Sequence, residues 1–229
     1  MNRLLLLAPL LSAMAFPAMA NTILSLNATG SAAAIPDEAV ATFEAQATAP
    51  DAGSAQSTVN QQVIKALAAA HAISNVTATT NGYNTYAIMP DHQTSPEFTT
   101  TQDLTLMQPA NGGVPDAAFT NLLAKLQSEG LLLTGLRGSL SIAGTQRLQR
   151  EAMRNALTQL HEDAKAIADS LHMKIGTLQT LNVDTGGNFA PPMGPRVMAL
   201  AAAAPPQSEP ESVRITARVS AKIELESTP

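Results

Sequence analysis

The chain has no cysteine and no tryptophan, and only two tyrosines and five phenylalanines among 229 residues. Without cysteine there is no disulfide clamp, so stability has to come from packing alone. With so few aromatic rings, that packing has to be aliphatic. Charge is sparse as well, with 13 basic against 18 acidic residues and a net charge of −5. No stretch gathers lysine and arginine into a stripe with interleaved aromatics, so a nucleic-acid partner, which needs its phosphates neutralised, is not expected. Beyond residue 20 no apolar run approaches the ~18 residues that a membrane-crossing helix requires.

What is present begins with the N-terminus. Met1-Asn2-Arg3 leads into an apolar run from Leu4 to Phe16, broken at Pro17, and Ala18-Met19-Ala20 precedes Asn21. A basic start, a short apolar core and a small-x-small site are the three parts of a secretory signal, which predicts residues 1–20 as a cleavable leader and an exported protein. The run is too short to span a bilayer, and a lipid anchor would need a cysteine after the cleavage point. Removing the leader takes away Arg3 and leaves 12 basic and 18 acidic residues, a net charge of −6.

In residues 21–229 the hydrophobic pattern alternates between the two regular periods. Ile23–Ala28 and Val40–Ala47 alternate as half-buried strands, and Ile35-Pro36-Asp37-Glu38 between them has turn chemistry, which predicts a β-hairpin. From Asp51 to Ala72, Ala55, Val59, Val63, Ile64, Leu67 and Ala70 mark one helical face, with Asp51 and Ser54 as candidate caps. Val76–Met89 and Phe98–Met107 predict a second hairpin across the polar Pro90–Pro96 segment. Pro115 opens a helix carrying Phe119, Leu122, Leu123 and Leu126, closed by Gly130. Leu131–Ile142 reads as a strand in which Gly135 and Gly138 point to a bulge or a close backbone approach.

A long amphipathic helix follows from about Thr145 to His172, with Leu148, Met153, Leu157, Leu160, Ala164, Ile167, Ala168 and Leu171 as its apolar face. Ile175–Val183 is a further strand. Residues 213–225 alternate without a break, Val213 to Leu225 against Arg214 to Glu224. Between these strands, residues 184–210 are dominated by Gly, Pro and Ala and read as a long flexible loop. The order is that of an α+β domain: an antiparallel sheet built from ββα-type units, with helices packed on one side.

Several of these residues together resemble a known family. They are the strand reaching Gly30, the Pro36-Asp37-Glu38-Ala39 turn, and the alanine-spaced helix Glu151-Ala152, Asn155-Ala156 and Asp163-Ala164-Lys165-Ala166-Ile167-Ala168 leading to Leu171 and Gly176. After them come a proline-rich segment and a final alternating strand. In order and spacing this resembles the SIMPL domain, from about Ile23 to Leu225. The resemblance implies a bacterial periplasmic or envelope protein. Relatives are linked to oxidative-stress defence and to large ring-like assemblies, and no catalytic residues carry over.

The residues themselves form no catalytic, cofactor-binding or metal-binding constellation. His161-Glu162-Asp163 lacks the second histidine that a zinc-protease helix needs four residues on, where Lys165 stands. His71 and His172 lie near predicted helix C-termini, where a cation meets the carbonyl end favourably. His92 has only Met89 and Asp91 beside it. Gly53-Ser54 and Gly138-Ser139 lack the second glycine of a nucleophile elbow, and Gly112-Gly113 and Gly186-Gly187 lack the lysine of a phosphate loop. Met193 and Met198 are two soft ligands without a histidine, a poor copper site. Asp37 is expected to bond its own turn. Together with what the resemblance implies, these observations predict a non-enzymatic protein without cofactor, acting through protein–protein contacts, as a homo-oligomer or with other envelope proteins, with the sheet edges and residues 184–210 as interfaces. The alternative is a periplasmic small-molecule or metal-binding protein.

Overall fold

The computed structural model describes residues 22–89, 95–185 and 212–227. The predicted leader, His92, Met193, Met198, the Gly186-Gly187 pair and nearly all of the 184–210 segment lie outside them. In chain order the elements are β1 (Thr22–Ala34), β2 (Glu38–Ala49), α1 (Ala52–His71), β3 (Thr77–Ile88), β4 (Glu97–Pro109), α2 (Ala117–Ser128), β5 (Leu132–Ser139), α3 (Ile142–Ser170), β6 (Met173–Asp184) and β7 (Val213–Ser227). The fold is α+β and its strands pair antiparallel, as the patterning predicts. They form two sheets rather than one, in the orders β1-β7-β6 and β3-β4-β2-β5.

Each sheet has its own helical cover and its own core. On the four-stranded sheet, the alternating residues Ala39, Ala41, Phe43 and Ala45 of β2 and Leu104 and Leu106 of β4 pack against Val59, Val63, Ala66 and Ala70 of α1 and Phe119, Leu122 and Leu126 of α2. On the three-stranded sheet, Ile215, Ala217, Val219, Ala221 and Ile223 of β7 and Ala28 and Ala32 of β1 pack against Leu148, Ala152, Ala156, Leu160 and Ala164 of α3. Small residues on both sides let the α3 backbone come close to β1. At the crossing, a Cβ on Gly30 would stand 2.5 Å from Ala152 O and 2.7 Å from Ala156 Cα.

The predicted hairpin of the first two strands does not form. β1 pairs with β7 along its whole length, from Thr22 opposite Leu225 to Ala34 opposite Val213. β2 has β4 on one side and β5 on the other. The intervening residues carry the chain from one sheet to the other. Pro36 is buried in the corner of the second sheet, where a Cβ on Gly113 would lie 2.8 Å from its ring and one on Gly138 would lie 3.0 Å away. With both edges of β2 occupied, no edge remains for β1. The second hairpin does form, β3 against β4, with an irregularity between Asn81 and Asn84. The glycine reading of β5 also holds: its register against β2 shifts by one residue between Thr42 and Phe43, next to Gly135.

Two helical faces differ from the pattern. Ile64 is 65% exposed, and Ala66 takes its place in the buried face of α1. In α3 the buried residues are Gly144, Leu148, Ala152, Ala156, Leu160, Ala164 and Ala168, one every fourth position. Such a row is inclined by about 26° to the helix axis, so it is buried where a helix lies obliquely on a twisted sheet. Met153 and Leu157 are only partly buried at its flank, and Leu171, just past the helix, is exposed.

Candidate functional site

A polar cluster sits where the chain passes between the two sheets. It does so along residues 35–37 and again along residues 140–141. Asp37 joins the two passages: its carboxylate accepts from the Ser141 backbone N–H and, at 2.9 Å, from the Ser141 hydroxyl. The same Ser141 Oγ caps α3 by accepting from Gly144 N at 3.0 Å. The Asp37 main chain is tied as well, its N–H donating to Ser139 O at 3.0 Å and its carbonyl accepting from Ala110 N at 2.9 Å. The expectation that Asp37 bonds its own turn is therefore corrected, because its carboxylate partner lies 104 positions away. Gly144 is required beside it, since a Cβ there would come within 2.5 Å of Asp37 Oδ2.

This cluster is a clamp. Burial, and secondly the neighbouring Asp37 charge, hold the Glu38 carboxyl above its ordinary pKa. A raised folded-state pKa means that Glu38 favours folding below the unfolded pKa and loses that contribution as pH rises through the folded one. Glu38→Gln is therefore expected to raise the melting temperature at neutral pH. The gain vanishes when the melt is repeated below the ordinary carboxylate range, and an equal gain at both pH values would contradict this reading. The two helix-capping carboxylates shift the other way. Asp51 is lowered by the Ser54 side chain and then its backbone N–H, and Asp116 by the Phe119 N–H and then the Gln108 side chain.

The other residues singled out by sequence that fall among the described ones are spread over several elements and form no common cluster. Ser54 donates its hydroxyl to Asp51 Oδ2 at 2.7 Å and its N–H to Asp51 Oδ1 at 2.9 Å, which makes it part of the α1 cap. Ser139 ends β5, with its carbonyl held by Asp37. Gly112 and Gly113 form a 3-10 turn with positive φ. His71 is the last residue of α1, and His172 follows α3 with φ of 56°. His161 lies on the exposed side of α3, one turn before Lys165, which pairs with Asp169 at 2.6 Å. Among the described residues no group of three or more His, Asp or Glu could hold a metal ion, and no helix is long and apolar enough to cross a membrane.

Among the described residues, four strands have one side unpaired: β1 and β6 in the first sheet, β3 and β5 in the second. β1 runs for 13 residues without a charged side chain or a register shift. β3 carries both tyrosines of the chain, Tyr83 and Tyr86, exposed. β6 exposes Ile175, Leu178 and Leu181. Periodicity located β6 but missed the emphasis, because its apolar residues do not fall at alternate positions.

A comparison with curated proteins gives no match. A family model does match, over residues 24–223, nearly all of the described fold, and its description is a protein of unknown function, DUF541. The alanine-stepped α3 lying on Gly30 of β1, the Pro36-Asp37 crossing and the closing β7 are the features on which the resemblance rests, and the chain belongs to the SIMPL family.

Proposed function

We propose that the chain is an exported, non-enzymatic protein of the cell envelope that acts through protein–protein contacts, chiefly with copies of itself. The observation that carries this reading is the open β1 edge, 13 residues long, uncharged and unbulged. An edge of that kind is a template for pairing. Export is supported by the signal-like residues 1–20. Defence of the envelope against oxidative stress is the setting that the family resemblance offers.

The test is the native mass of residues 21–229, by light scattering coupled to size exclusion over a range of concentrations and salt. A discrete multiple of the chain mass that gives way to monomer only at low concentration is the expected result. A monomer at every concentration would overturn the reading and direct attention to titrations with metals and small metabolites.

A further inference from the structure

β6 departs from simple alternation in a way that has a purpose. Its pairing with β7 shifts twice, between Ile175 and Leu178 and between Leu178 and Thr180, and each shift adds one residue to β6. Through these two bulges Ile175, Leu178, Leu181 and Val183 stand opposite Leu225, Ile223, Ala221 and Val219. Those four β7 residues are all buried on the face that α3 covers. Bulges re-aim side chains, and here they place every β6 residue larger than threonine between 175 and 183, apart from Gln179 and Asn182, on one face. α3 packs more extensively on β1 and β7 than on β6, and Leu178 remains 50% and Leu181 46% exposed. The sheet thus ends in an apolar strip with an unpaired backbone edge beside it.

We infer that a second copy of this chain covers the strip, by antiparallel pairing of β6 with β6 about a two-fold axis; this rests on the self-assembly reading and names its interface. The charges select this occupant and this direction. β6 carries Lys174 at one end and Asp184 at the other, and within the sheet they face Glu226 and Arg218 of β7. Antiparallel pairing sets Lys174 opposite Asp184 of the partner subunit, so that Glu226, Lys174, Asp184 of the partner subunit and Arg218 of the partner subunit form a row of alternating sign. Parallel pairing would set like charges together.

The apolar residues fit the same register. Ile175 meets Val183 of the partner subunit and Leu178 meets Leu181 of the partner subunit. Gly176 and Thr177 together face Asn182 of the partner subunit, repeating the bulge already made against β7. The interface is self-complementary, as a two-fold contact has to be.

Three variants of residues 21–229 test this, with circular dichroism melts to establish that each is folded. Leu181→Glu is expected to reduce the native mass to half or less of the wild-type value. Lys174→Asp alone and Asp184→Lys alone each set like charges across the axis and are expected to weaken association at least tenfold. An equimolar mixture of the two restores opposite pairs and is expected to recover association at low salt. A wild-type chain that is monomeric throughout overturns both this interface and the self-assembly reading. A wild-type oligomer whose mass is unchanged in folded Leu181→Glu overturns the interface alone, and a mixture that stays dissociated does the same.

Discussion

Replacing Gly30 with valine is expected to lower the melting temperature of the protein by about 10 °C, through a loss of about 3 kcal/mol or more. Gly30 carries no special backbone angle. Its role is proximity, because the first atom of any side chain would enter the α3 backbone at Ala152 and Ala156. Backbone cannot rotate aside as a side chain tip can, so α3 has to lift from β1, and the small-residue packing of Ala28, Ala32, Ala152 and Ala156 opens with it. Gly30→Ala is expected to do part of the same damage, since alanine already brings the offending Cβ. Thermal melts by circular dichroism measure the size of the effect, and hydrogen exchange locates it. Loss of protection is expected in α3, β1 and β7 before α1 and β4, because the two cores are separate. An unchanged melt in the valine variant would mean that α3 does not lie on β1.

Asp37→Ala is the second large effect, expected at about 2–4 kcal/mol, from two hydrogen bonds to a carboxylate and a Ser141 N–H left without its acceptor. Asp37→Asn is expected to fall between, since its amide nitrogen cannot accept where one carboxylate oxygen did. Ser141→Ala keeps the backbone bond to Asp37 but loses the hydroxyl that caps α3 at Gly144, a cost of about 1–2 kcal/mol. The two positions share partners, so the Asp37→Ala, Ser141→Ala pair is expected to cost less than the sum of its single changes. Denaturant midpoints for the four proteins give the coupling. Strict additivity would show that Asp37 and Ser141 do not act as one clamp.

Much of the fold is legible in the sequence wherever an element is long and one face is buried. β7 alternates from Val213 to Leu225 and is half buried over that whole length. α1 begins at the aspartate read as a candidate cap, Asp51, and α2 begins just beyond Pro115, with Asp116 rather than the proline setting its start. What is not legible depends on remote partners. Nothing local distinguishes a turn at Pro36-Asp37 that closes a hairpin from one that carries the chain to another sheet. The difference lies in Ser139, Ser141 and Ala110, which fill the bonds of Asp37. In α3 the larger residues Met153 and Leu157 drew the apolar face toward themselves, whereas the close approach to Gly30 selects alanines. The β6 strip is hidden by its bulges, because two extra residues break the period of two by which strand faces are read. The polar node around Asp37 is taken up in joining the two sheets.

The most direct test of the central claim, that this chain works by pairing its open sheet edges with other copies, is hydrogen exchange on residues 21–229 at high and at low protein concentration. The account predicts slower exchange at high concentration in edge-strand amides, in β6 and β1 above all, with the interior strands β2, β4 and β7 unchanged. Exchange that is the same in every strand at both concentrations, in a chain that light scattering shows to be monomeric, would contradict it.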